Sequence, residues 1–179
     1  MRKVLVFLGI LNDSDLDWMV AAGSRREIPA GQVLIRERQR VDAVFVVLEG
    51  TLAVVRGPQD REVARLRSGE IVGEMSFVDA RQPAATVVAV EKSSVLAIPR
   101  SSLEAKLEHD TSFASRFYRA MAVFLSGRMR STLGRLDYGA GAPLDEDSDY
   151  ADEIDEDTLD NTSLAGARFD HLRRRLRSV

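Results

Sequence analysis

Between Arg25 and Pro99 the chain is cut into short apolar runs separated by turn residues, and this cadence limits the architectures open to it. Ile28 precedes Pro29-Ala30-Gly31, and Val33-Leu34-Ile35 follows. Ala43 to Leu48 is closed by Glu49-Gly50 and Leu52 to Val55 by Gly57-Pro58. Val63 to Leu66, Thr86 to Val90 and Val95 to Ile98 complete the series, the last ended by Pro99. β-branched residues with a turn signal about every 8–12 positions predict an antiparallel sandwich or roll rather than βαβ units.

Helical patterns flank this region. Asp13, Ser14 and Asp15 are candidate caps for a helix carrying Leu16, Met19 and Val20, with Trp18 beside them and Gly23 as its stop. Two short helices between Val4 and Ala22 are therefore expected. The opening Arg2-Lys3 and apolar run also resemble a secretion signal, but the run meets Asn12-Asp13-Ser14-Asp15 without a small-residue cleavage site. Past the strands, Ser101 and Glu104 have capping-box spacing. A longer helix is predicted over about 111–136, with Phe113, Phe117, Met121, Phe124, Leu125, Met129, Leu133 and Leu136 mostly three and four apart. That stripe fits packing on its own roll or, in its distal half, on the same helix of a second copy. Arg116, Arg119, Arg128, Arg130 and Arg135 make the remaining surface basic, as expected of a solvated face. The expected fold is mainly β with flanking helices: an antiparallel, jelly-roll-like β-roll over about 25–99, N-terminal helices and a long C-terminal helix.

Inside this frame, Ser68 to Val90 holds the chemistry. Gly69 and Gly73 sit where a backbone must bend sharply, and Glu74-Met75-Ser76 open a short helix whose free N–H groups suit an anion. This stretch resembles the phosphate-binding cassette of the cyclic-nucleotide-binding domain family, in Gly73-Glu74-Met75-Ser76 followed by Ala84-Ala85-Thr86-Val87. Leu48-Glu49-Gly50 and Ser68-Gly69-Glu70 add to the likeness, which spans about residues 10–135. The resemblance implies that Glu74 meets a ribose 2′-hydroxyl. It also implies that backbone amides near Gly73, Met75 and Ser76 hold a cyclic phosphate, and that Ala84, Ala85, Thr86 and a long-helix residue adjoin the ligand. The family's phosphate-pairing arginine falls on Pro83, which has neither charge nor amide hydrogen. Arg81 is a candidate substitute. A second departure is Glu37-Arg38-Gln39, where the family has a glycine–glutamate turn. Cyclic AMP or cyclic GMP is the implied ligand, held weakly, and no other cofactor is expected. The alternative is a dimeric adaptor that has lost its ligand.

The remainder of the sequence excludes more than it adds. Its 179 residues contain no cysteine, so disulfides, thiolate metal sites and cysteine nucleophiles are excluded, and a cytoplasmic setting is expected. The two histidines, His109 and His171, have no metal-ligand spacing. No phosphate loop of nucleotidases or nucleophile elbow is visible, and no enzyme is inferred. No apolar run approaches the roughly 20 residues of a membrane span. The net charge of −3 is unevenly spread: residues 145–160 hold ten acids and no base, and residues 168–177 hold five arginines. Residues 138–160 are expected to form a flexible acidic linker. Within them Asp145, Asp147, Asp149 and Glu156 match calcium-loop positions, but Tyr150 stands where the turn requires glycine. Residues 161–179 read as a basic amphipathic helix. Its side of Ala165, Phe169, Leu172 and Leu176 could dock on its own roll, on a partner protein or on an anionic surface. Phe169, Leu172, Arg173 and Leu176 are the candidate partner contacts. Acidic residues after Leu136 argue against a DNA-binding helix-turn-helix there, since they would repel phosphates.

Overall fold

The computed structural model describes residues 7–137 and 156–177. A helical stretch at residues 7–10 leads to α1 (Asp13–Ala22) and then eight strands: β1 (Ser24–Ile28), β2 (Val33–Ile35), β3 (Ala43–Glu49), β4 (Thr51–Arg56), β5 (Arg61–Arg67), β6 (Ile71–Val72), β7 (Thr86–Ala89) and β8 (Ser93–Pro99). A short helix, α2 (Glu74–Asp79), interrupts them between β6 and β7. Helices α3 (Arg100–His109), α4 (Thr111–Asp137) and α5 (Glu156–Arg177) follow. The strands form two four-stranded antiparallel sheets, ordered β1-β8-β3-β6 and β2-β7-β4-β5. This is the predicted roll with flanking helices.

Two cores hold it together, and β3 and β8 serve both. Phe45 and Val47 of β3 and Val95 and Ala97 of β8 point between the sheets, where they meet Ile35, Leu52, Leu66, Val72 and Val87. The alternate residues Val44, Val46, Leu48, Leu96 and Ile98 point outward beneath the helices. Burial on both faces is why these two strands read as unbroken apolar runs instead of alternating ones. The outer core is aromatic: Phe117 packs edge-on to both Phe7 and Phe77, with ring centroids 5.8 and 6.0 Å apart.

The helix boundaries depart from the pattern reading in ways that hydrogen bonding explains. Asn12 caps α1, ahead of the three candidates named above; its side chain accepts the Asp15 amide, and the Asp15 carboxylate accepts the Asn12 amide. Helix α3 starts at Arg100 after Pro99, with no side-chain cap, and Glu104 accepts from Arg100 instead of closing a capping box on Ser101. The long helix is capped by Asp110, whose carboxylate accepts the Phe113 amide at 2.8 Å.

The arginines of α4 are expected to form a solvated face, but two of them, while partly exposed, turn to buried carboxylates. Arg116 forms a two-pronged pair with the buried Asp15, at 2.7 and 2.8 Å. Arg128 reaches Glu74.

The C-terminal helix starts at Glu156, five residues earlier than its apolar pattern. The assignment of Phe169, Leu172 and Leu176 to a partner protein is corrected here. All three are buried with Ala165 in the outer core, alongside Phe7, Leu8, Leu11 and Leu16. Arg173 also turns inward, to Glu49 at 2.5 Å. Arg168 donates to the carbonyls of Leu8, Gly9 and Leu11 and to Asp13. The helix docks in cis because the N-terminal helices offer it both an apolar face and a row of unpaired carbonyls. Residues 138–155, with most of the expected acidic linker and the calcium-loop pattern, lie outside the described residues.

Candidate functional site

The turn from β6 into α2 is built on backbone geometry that only certain residues tolerate. Gly73 takes φ +86° at the N-cap of α2, and a Cβ there would stand 3.0 Å from the Ala43 carbonyl oxygen. Gly69, at φ +92°, lets its amide donate to the Val47 carbonyl at 2.6 Å and ties the incoming turn to β3. At the other end of α2, Arg100 donates to the Ser76 carbonyl at 2.8 Å, and its guanidinium lies 5.4 Å from the centre of the Phe77 ring. The short helix is thus pinned at both ends and presents Glu74 inward.

Glu74 is 2% exposed. Its carboxylate accepts from the guanidinium of Arg128, which arrives from α4. Burying a carboxylate without a counter-charge is costly, so this pair is what permits Glu74 to sit where it does. Arg128 also lies over the Phe124 ring, 5.7 Å from its centre. The sequence reading missed the role of Arg128, although a signal was present. Phe117, Met121 and Phe124 are spaced by four and three, and Arg128, four further on, is the next core-facing position of the same stripe. A charged residue on the apolar face of a helix needs a buried partner.

Glu74 and Arg128 border an open cavity of about 930 Å³. Its apolar wall comes from Ile35, Val54, Leu66, Val72 and Val87 on the inner sheet faces. The cassette supplies Gly73, Met75, Ser76, Ala84 and Ala85, and α4 adds Thr132. The fold thus gathers nearly all the residues singled out from the sequence. Met75 is more than half exposed and Ser76 is buried. Thr86 departs from expectation: it is not among the lining residues, and its hydroxyl accepts the Glu37 amide at 3.0 Å. Arg81 lines the cavity only at its rim. Its side chain is 86% exposed and faces Asp79 at 3.9 Å. Pro83 is half-buried, and its carbonyl accepts the Arg38 amide at 2.9 Å. Arg38 takes φ +60° at the position of the second departure, so a side-chain-bearing residue holds a left-handed turn there.

Among the described residues no three metal-ligating side chains converge, and no helix is long and apolar enough to cross a membrane.

The structure is thus a two-sheet antiparallel roll whose glycine turn, short helix and long helix border an open cavity. Residues 25–110 match the cyclic nucleotide-binding domain, and the structure has the fold of that domain. The region is similar to the catabolite-activator group of transcriptional regulators. The chain is 32% identical over 93 residues to the cyclic AMP receptor protein of Thermus thermophilus, covering 50% of this chain and 43% of that protein. It therefore spans less than half the length of this relative. The crystal structure of the Thermus thermophilus catabolite activator protein superposes with a TM-score of 0.60 at 28% identity, over 72% of this chain and 60% of that one. A cyclic nucleotide-binding domain from Methylobacillus flagellatus gives a TM-score of 0.69 at 19% identity, over 78% and 84% of the two chains, which speaks to the fold alone.

Proposed function

We propose that this domain senses a cyclic nucleotide or a closely related phosphate ligand, binds it weakly, and passes the event to its long helix. The observation that carries this reading is the Glu74–Arg128 pair. A ligand that offers hydroxyls to Glu74 competes with Arg128 for the same carboxylate. Its arrival is then felt on α4, the element that leads out of the domain. Weak binding follows from Pro83. A charge-assisted hydrogen bond to a desolvated phosphate is worth roughly 1.5–3 kcal/mol, so losing one weakens binding on the order of ten- to a hundred-fold.

The distal half of α4 supports a homodimer as the receiver of that signal. Met129 is 65% exposed and Leu133 51%, on the helix whose proximal residues Phe113, Phe117 and Met121 are fully buried. A second copy of α4 would cover them. An adaptor that works through its C-terminal helix is disfavoured, because that helix spends its apolar side within its own chain. The expected setting is the cytoplasm, where cyclic nucleotides are made and read.

Titration calorimetry of the full chain with cyclic AMP and cyclic GMP tests the reading. Dissociation constants no tighter than tens of micromolar are expected, and a submicromolar value would refute the weak-sensor assignment. Light scattering tests the dimer: Met129→Arg with Leu133→Arg should yield a monomer, and a wild-type monomer at tens of micromolar would exclude it.

A further inference from the structure

The cavity holds more arginine than its acids can use, and the surplus lies in one place. Each lining carboxylate has its own cation. Glu74 is met by Arg128, Asp79 by Arg81, and Glu62 by Arg65 at 2.6 Å. Two further lining arginines, Arg56 at the end of β4 and Arg61 at the start of β5, have no carboxylate within ion-pair distance among the described residues. They are direct cross-strand partners, immediately beyond a register shift between Val54 and Val55. Like charges set directly opposite in an antiparallel pair repel and destabilise the hairpin. An oxyanion between them removes that repulsion, and guanidinium forks are suited to phosphate oxygens.

We infer that Arg56 and Arg61, both lining the cavity and both exposed, form its anion clamp, a weaker, solvent-screened contact than the arginine missing at Pro83. The ligand class is a phosphate-bearing small molecule such as a cyclic phosphodiester. It lies with its charged end at the β4–β5 hairpin and its hydroxyls toward Glu74. This deepens the proposed function and rests on it for the identity of the ligand, though not for the anion site itself.

The test uses the full chain as wild type, Arg56→Ala/Arg61→Ala and Arg81→Ala. Calorimetry is run with cyclic AMP and cyclic GMP. Thermal unfolding is run in inorganic phosphate against chloride at equal ionic strength. The hairpin variant should bind the nucleotide at least ten-fold more weakly, and phosphate should raise the melting temperature of the wild type but not of this variant. Nucleotide binding unchanged in the hairpin variant, or lost instead in Arg81→Ala, overturns the clamp and leaves the sensor reading standing. No nucleotide binding, with a phosphate effect that depends on Arg56 and Arg61, supports the clamp and removes the nucleotide. No nucleotide binding and no such phosphate effect overturns both.

Discussion

Replacing Arg128 by alanine should expose what the Glu74–Arg128 pair does for the fold. The Glu74 side chain is 3% exposed and that of Arg128 26%, so the pair sits at the wall of a cavity with one partner partly wet. Stranding a fully buried charge costs about 3–5 kcal/mol. Water admitted by the cavity on the Arg128 side reduces this to about 1–3 kcal/mol, the usual cost of leaving a buried polar or charged group unsatisfied. In a domain of this size each kcal/mol lowers the melting temperature by about 2–4 °C, so a drop of several degrees is expected. Glu74→Gln should be milder, because it removes the charge and keeps a hydrogen-bonding group. The double variant should recover much of the loss of Arg128→Ala, since the stranded charge is then gone. Urea unfolding of wild type, both single variants and the double variant gives the coupling energy directly. A loss below about 0.5 kcal/mol in Arg128→Ala, the level of ordinary surface substitutions, would refute the reasoning. Strictly additive single variants would refute it as well.

Other substitutions check other parts of the fold. Phe169→Ala should lower stability by about 3–5 kcal/mol and Leu172→Ala by about 2–5 kcal/mol, measured by urea unfolding; near-neutral values would return this helix to an outside partner. Gly73→Ala forces a Cβ into a left-handed turn at a cost of roughly 1–2 kcal/mol, and should lower the unfolding midpoint accordingly. The Asp110 carboxyl is held below its usual range by the hydrogen bond from Lys106 and then by the Phe113 amide. Its contribution is present above the unfolded value of about 3.9 and is lost as pH falls through that value toward the lower folded one. The stability gap between wild type and Asp110→Asn should therefore be largest near neutrality and close below about pH 4; a gap that does not shrink in acid would contradict the assignment.

The short apolar runs with their turn residues, and the three- and four-residue spacing over 111–136, were enough to define the roll and the long helix, because burial on one or both faces of an element leaves a local trace. Gly73 and the onset of α2 were legible for the same reason, since a left-handed turn demands glycine at a definite residue. The direction of a long polar side chain leaves no such trace. Arg116 looks alike in sequence to Arg119, which is exposed, and only the placement of α4 against Asp15 separates them, whereas Arg128 stands on the Phe117–Met121–Phe124 stripe and is marked by it. The caps were misplaced by one to three residues because several polar residues compete at each helix start, and the neighbouring chain decides between them. For the C-terminal helix, the apolar side of Ala165, Phe169, Leu172 and Leu176 already required a cover. Which surface covers it depends on contacts distant in the chain, since the carbonyls of Leu8, Gly9 and Leu11, the apolar face of α1 and the carboxylate of Glu49 lie side by side only in the folded protein.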